Sequence, residues 1–287
     1  MAKISALYKH PFKSLAGIMV NSMGFTSVGP NDDRRYMLVD AQGGFLSQRT
    51  HPQLALLGTE LRQGDLVVTA RNGGQVTLHE AEEPGAPMDV RIHTERCTGY
   101  YLPGDEADTF FSDLLHQMCC VVRYFPDTPR IRMGKRTGLP VRTRFTDGYP
   151  VTVMSARALW NLNVKLEEAG HKPVSARNFR PTIVVEDCDP HDEDQWLFAK
   201  ANGITLRFEK HCDRCPVPNV DPTTGVLDER MSVTEALKKY RRIHADNKDG
   251  KVYFTSNFAV EISEAVSNPR LQVGDKLEII YQEAKAA

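Results

Sequence analysis

The sequence predicts an α+β protein in which β-structure dominates, folded as two lobes. Three observations lead there. Short apolar runs broken by Gly, Asn and Pro fill roughly the first 95 residues. Helical periodicity is confined to a few later segments. Between the halves lies "PDTPRIRMGKRTGLPVRTRFTDGYP", residues 126–150, a basic stretch rich in Pro and Gly. A domain boundary near its start divides the chain into 1–125, a β-barrel-like unit, and 126–287.

Each element has its own signal. "KISALYKHPF" and "GIMVNSMGFT" alternate as strands. "RRYMLVDAQGGFLSQR" reads as a hairpin turning at Ala-Gln-Gly-Gly. "LALLGTEL", "DLVVTA" and "QVTLHE" continue the strand pattern, with breaks at Gly64, Asn72-Gly73-Gly74 and the Glu82–Pro87 stretch. "GDEADTFFSDLLHQM" changes to helical spacing, with Phe110, Leu114 and Met118 on one stripe and Phe111 and Leu115 beside it. "CCVVRYF" follows as a buried strand, whose adjacent Cys119 and Cys120 point to opposite faces and serve as core filler. Residues 126–150 read as a long surface loop, either a solvated basic face or an anion-binding rim, and mobile when no anion is bound. "SARALWNLNVKLEEAG" is a helix capped by Ser155 and stopped by Gly170. "PTIVVED" and "ITLRFEK" are strands. "SVTEALKKYRRI" opens on a capping box, Ser232 and Glu235. "KVYFTSNFAVEI" and "KLEIIYQ" close the chain, joined through "LQVGD".

Composition narrows the function classes. The chain has 287 residues, 41% of them hydrophobic, which is enough for a sizeable core. A net charge of −1 argues against a protein-wide footprint for nucleic acid or anionic membrane. "MAKISALYKHPFKS" lacks a signal-peptide core and no run approaches a membrane span, so a soluble, cytoplasmic protein is expected. Cys97, Cys119, Cys120, Cys188, Cys212 and Cys215 are too few for a disulfide scaffold.

The chemistry concentrates in "EKHCDRCPVPNVDPTTGVLDE", residues 209–229. Cys212 and Cys215 form a C-x-x-C pair with three readings. Structural zinc needs four ligands, and no second ligand pair stands at zinc-finger spacing. A thioredoxin-like pair wants a helix after the first cysteine, whereas Pro216 and Pro218 lead into an extended turn. Ordinary half-buried cysteines are the third reading. Arg214 beside Cys215 favours a thiolate, and the prolines would hold it on a fixed loop as a soft ligand for one position on a cofactor-bound metal.

"CDRCPVPNVDPTTG" resembles the C-x-R-C…V-D-P-x-T-G signature of the MOSC-domain family (molybdenum-cofactor sulfurase C-terminal). The branch is similar to the mitochondrial amidoxime-reducing component and its bacterial relatives. "YKHPFKSLAG", "DRRYMLVDAQGGFLSQRTHPQL", "GDEADTFFSDLL", "NFRPTIVVED" and "VGDKLEII" match family segments in the same order, over nearly the whole chain. The resemblance implies an N-terminal β-barrel lobe packed on a MOSC β-barrel with peripheral helices, and a molybdenum cofactor between the lobes.

The same resemblance assigns residues. Cys215 would ligate molybdenum, whereas Cys212 would not. Lys13, Ser14, Arg34, Arg180, Thr182 and Arg214 would hold the anionic pterin, and Asp147 would stand near the metal and handle protons. Two positions depart from the family pattern: Thr182 replaces an asparagine after "NFRP", and Tyr149 replaces a serine after Asp147-Gly148, where it would narrow the mouth of the site. The implied activity is removal of oxygen from a small N-hydroxylated substrate, an amidoxime or hydroxylamine. The chain shows no C-x4-C-x2-C iron–sulfur spacing, so electrons would come from a separate ferredoxin- or cytochrome-type protein. The alternative is a non-catalytic cofactor or sulfur carrier with Cys215 as a persulfide site.

Overall fold

The computed structural model describes residues 1–80, 83–102, 104–242 and 250–283. The end of "SVTEALKKYRRI" at 243, Glu82 in the predicted break and the last residues 284–287 lie outside the described residues.

The chain starts in the sheet that its second half completes. β1 (Lys3–Lys9) and β2 (Ile18–Val20) pair with each other, and β3 (Ser22–Thr26) pairs with β4 (Gly29–Pro30). The chain then builds the N-terminal lobe: β5 (Tyr36–Asp40), β6 (Gly58–Arg62), β7 (Asp65–Thr69), β8 (Gln75–Leu78), β9 (Pro87–Ile92), β10 (Glu95–Tyr101), α1 (Glu106–Leu115) and β11 (Cys119–Arg123). Here β5-β11-β10-β9 form one sheet and β6-β7-β8 another. Phe12, Leu38, Leu54, Leu66, Val68 and Phe111 fill the core between them.

A hairpin of β12 (Arg130–Met133) and β13 (Pro140–Thr143) connects to the second half. There follow β14 (Val151–Ser155), α2 (Ala156–Glu168), α3 (Ala176–Phe179), β15 (Ile183–Glu186), β16 (Trp196–Ala201), β17 (Ile204–Asp213), α4 (Ser232–Lys238), β18 (Tyr253–Ile262), β19 (Arg270–Gln272) and β20 (Glu278–Tyr281). An eight-stranded sheet runs β2-β1-β15-β14-β18-β17-β16-β20, and β19 joins β3. Ile4 and Leu7 therefore share a core with Val153, Ile183, Trp196 and Phe258. Helices α2 and α4 cover the other side through Leu162, Leu166 and Leu237. The fold is β-dominated, with a barrel-like N-terminal domain and peripheral helices.

Local signals hold where the backbone alone decides. Ser155 Oγ accepts from Ala158 N at the start of α2, and Gly170 follows its end at φ 74°. Cys119 and Cys120 lie in different clusters, as opposite faces of β11 require.

Several expectations are corrected. The return arm after Ala-Gln-Gly-Gly is reduced to single bridges, Val39–Phe45 to β5 and Gly44–Arg91 to β9, because it divides its backbone hydrogen bonds between those two strands. Half of "LALLGTEL" is a 3-10 turn, Pro52–Leu56, in which Leu54 packs inward. Met118 is 82% exposed, since α1 ends in a left-handed residue at His116 and turns the chain away. Ser232 is inside α4, not its cap: Asp228 Oδ2 accepts from Ser232 N, and Asn219 Oδ1 accepts from Val233 N and Thr234 N. The 126–150 stretch is largely a tethered hairpin. Arg130 and Arg132 pair with Glu95, so the supposition that its charges lack anions fails for these two.

Candidate functional site

The site forms where five segments meet: Lys13–Ser14, at the crossing from β1 into the N-terminal lobe; Arg34; Phe145–Asp147, after β13; and the Arg180 and Arg214–Cys215 corners of the second half. Lys13 Nζ donates to Phe145 O at 2.9 Å and to Asp147 Oδ1. Arg49 Nη2 lies 3.3 Å from Asp147 Oδ2, and His93 Nε2 lies 3.3 Å from Asp147 Oδ1. Arg34 Nη1 donates to Asp33, and its Nη2 reaches Arg180 O. Arg180 Nη1 donates to Leu15 O, locking one lobe to the other.

Three of these residues have left-handed backbone: Ser14 at φ 72°, Arg34 at φ 48° and Arg180 at φ 52°. Such conformations cost energy in non-glycine residues and gather at ligand clamps. Ser14 is held by Gln48 Nε2, which donates to its carbonyl at 2.6 Å. Gly17 is required nearby, since a Cβ there would lie 2.5 Å from the His10 ring.

The cysteine loop is clamped from both sides. Asn178, in the "NFRP" turn, donates to Pro218 O and Val220 O. Asn219 Nδ2 donates to Pro216 O while its Oδ1 serves the start of α4. Gly225, at φ 69°, sits against Leu56 and Gln53, so the Val-Asp-Pro-Thr-Thr-Gly turn presses on the N-terminal lobe. Cys215 is half-buried, and no cysteine is in a disulfide. Arg214 Nη1 lies 3.0 Å from Cys212 Sγ, and its Nη2 donates to Phe179 O. The Cys215 sulfur also lies close enough to Arg49 to favour its charge.

Electrostatics mark an unsatisfied cation cluster. Burial pushes the Lys13 ammonium down to about 8, with Asp147 pulling the other way. Burial, followed by the neighbouring Arg34, lowers Arg180 to about 9, which leaves it charged at neutral pH. His10 is driven well down by burial and by Arg34 and Arg180, so its imidazole is neutral. Burial alone would raise the Asp147 carboxyl. Lys13, His93 and Arg49 reverse that and hold it well below the usual carboxylate range. Its side chain is nonetheless 54% accessible. Burial opposes the Arg214 charge, while the two cysteine sulfurs more than offset it. Arg214 Nε is buried with no hydrogen-bond partner.

Among the described residues, Lys13, Arg34, Arg49, Arg180 and Arg214 thus have two carboxylates, Asp33 and Asp147, as counter-charges. This surplus, with the half-buried Cys215 sulfur beside it, fits an anionic cofactor whose metal takes a single protein thiolate. Among the described residues, no group of three or more His, Cys, Asp or Glu is placed to hold a metal ion. The C-x-x-C pair therefore lacks the donor set of structural zinc. A separate concavity lined by Arg157, Trp160, Asp187 and Tyr281 shares none of these residues.

Six of the candidates converge: Lys13, Ser14, Arg34, Arg180, Arg214 and Cys215, around Asp147. Thr182 does not join them. It is fully buried, and its Oγ1 accepts from Thr152 N at 3.2 Å, a rung between β14 and β15. Tyr149 does not narrow the mouth. It points inward, its hydroxyl accepting from Lys135 N at 2.8 Å and donating to Met133 O at 3.0 Å. Arg49 and His93 were missed. Arg49 stands inside "FLSQRTHPQL", where one more surface cation carried no distinguishing mark. His93 occupies a left-handed turn between β9 and β10, strands that the sequence pattern did not reveal.

Comparison with known proteins agrees with this architecture. Residues 1–118 match the MOSC N-terminal beta barrel domain and residues 140–278 match the MOSC domain. The chain is 28% identical to mitochondrial amidoxime-reducing component 1 of Mus musculus, over 97% of this chain and 82% of that protein. It is 26% identical to mitochondrial amidoxime reducing component 2 of Homo sapiens, over 83% and 72%. It is 24% identical to molybdenum cofactor sulfurase of Solanum lycopersicum, over 88% of this chain and 32% of that protein. With both domains matched in order and a cluster of cations where their segments meet, the chain belongs to the MOSC-domain family, whose function is related to the molybdenum cofactor.

Proposed function

We propose that the protein is a molybdenum-cofactor reductase that removes oxygen from small N-hydroxylated bases, amidoximes or hydroxylamines. One observation carries this reading: the half-buried Cys215 sulfur lies beside Arg49 and Arg214 in a cluster with more cations than carboxylates. Two relatives are named for amidoxime reduction, which points to the same substrate class.

Cys215 would bind the metal, and Lys13, Arg34, Arg180 and Arg214 would hold the anionic pterin. When bound, the cofactor supplies a two-electron couple able to take an oxygen atom from an N–O bond. The remaining work falls to side chains of this chain. Asp147, held as a carboxylate, accepts from Lys13 and Arg49 and so spaces the cations. It also faces His93 Nε2. An imidazole is the side-chain type suited to moving a proton near neutral pH. The proton that leaves with the departing oxygen is therefore assigned to His93, and Asp147 orients the ring. This refines the initial expectation that Asp147 itself handles protons.

The test is elemental analysis of protein expressed with molybdate, beside Cys215→Ala, followed by amidoxime turnover with reduced methyl viologen. Near-stoichiometric molybdenum and turnover in the parent, both lost in a folded variant, are expected. Molybdenum retained by the variant would rule out Cys215 as ligand. Cofactor bound without turnover would favour the carrier reading, and zinc in place of molybdenum would sink both.

A further inference from the structure

The 130–143 hairpin has two unlike faces. Its inner face belongs to the site: Arg132 Nη1 donates to Asp147 O at 3.0 Å, and Arg130 Nη1 donates to Thr146 O at 2.5 Å. Its outer face presents Ile131, Met133 and Leu139, exposed by 56%, 62% and 53%. Between Thr128 and Thr146 the chain carries six basic residues and no acidic one. Arg130 and Arg132 are spent on Glu95, and Arg144 donates to Pro30 O. Lys135, Arg136 and Arg142 are exposed, and among the described residues their side chains have no ion-pair partner.

The hairpin is held firmly. Glu209, 1% exposed, accepts from Thr137 Oγ1 and Arg136 N, and is itself paired with Arg207. Gly134 presses on the same carboxylate, where a Cβ would fall 2.5 Å from Glu209 Oε2. The Tyr149 hydroxyl ties Lys135 N and Met133 O from below. Three large apolar side chains displayed on a pinned hairpin and edged by free cations have the make-up of a transient protein interface. Pre-organisation lowers the ordering cost of binding there.

We propose that this outer face docks an acidic electron-transfer protein. The inference rests on the reductase reading for its purpose. Conversion of N–OH to N–H and water consumes two electrons and two protons, and a one-electron iron–sulfur or flavin donor would deliver the electrons in two encounters. The unpaired cations would steer an acidic partner. A partner seated there would lie about one packed layer, roughly 10 Å, from the Asp147 side of the hairpin.

The test is calorimetric titration of the protein with an acidic [2Fe–2S] ferredoxin and an acidic flavodoxin, at low and high salt. The variants are Lys135→Glu/Arg136→Glu/Arg142→Glu and Ile131→Ser/Met133→Ser. Binding by at least one donor is expected, weakened by salt and by about tenfold or more in each variant. Amidoxime turnover with reduced methyl viologen should be unchanged. If neither donor binds, or if both variants bind like the parent, the proposal is overturned. Hairpin-dependent binding without viologen-driven turnover would support the docking surface and count against the reductase reading.

Discussion

Replacing Lys13 by methionine keeps the length of the side chain and removes the buried ammonium. Lys13 is 6% exposed, and burial brings its pKa from 10.5 to about 8. A folded-state value below the unfolded one means that the unfolded chain binds the extra proton between pH 8 and 10.5. Stability therefore rises across that window, while below pH 8 the full penalty of the buried charge is present. The 2.5-unit gap corresponds to about 3 kcal/mol at ~1.36 kcal/mol per unit. Cofactor-free parent protein should gain stability of that order relative to Lys13→Met as pH climbs from 7 to 10. The bonds that Lys13 makes to Phe145 O and Asp147 are lost in the variant, which shifts its baseline but not the difference in slope. Urea unfolding of both proteins at each pH measures the slopes. Parallel curves would refute the claim that the Lys13 charge is buried at a net cost. Cofactor retention is a separate readout: the variant should hold less molybdenum at neutral pH.

Three further substitutions separate roles. His93→Gln should lower amidoxime turnover by about a hundredfold with molybdenum content unchanged; parental turnover would remove His93 from proton transfer. Thr182→Ala should cost about 1–3 kcal/mol in denaturant unfolding by orphaning Thr152 N, with no change in molybdenum content, whereas cofactor loss without destabilisation would reinstate Thr182 as a contact. Tyr149→Phe removes both tethers of its hydroxyl and should speed amide exchange at Met133–Lys135 while leaving substrate KM unchanged. A fall in KM would instead indicate that the tyrosine obstructs the entrance.

What could be read from the chain depended on distance. The start and stop of α2 were legible because Ser155 and Gly170 act on the backbone within a few residues of themselves. The opposed directions of Cys119 and Cys120 follow from strand geometry alone. The β-rich character and the ordered motifs of the cysteine segment were likewise present in local pattern. By contrast, α4 takes its caps from Asp228 and from Asn219 on the cysteine loop, so a plausible local box at Ser232 and Glu235 lost to a longer-range pair of donors and acceptors.

The sequence by itself determined the fold class and the family, since these rest on local periodicity and on motifs that follow one another along the chain. Only the tertiary structure decided which charges meet. Asp147 is bound by Lys13, Arg49 and His93, residues 54 to 134 positions away, and no local pattern sets their approach. It also decided that Thr182 and Tyr149 turn inward. A hydroxyl beside a buried amide or carbonyl gains more by satisfying it than by facing solvent, and that neighbour exists only once the sheets have closed.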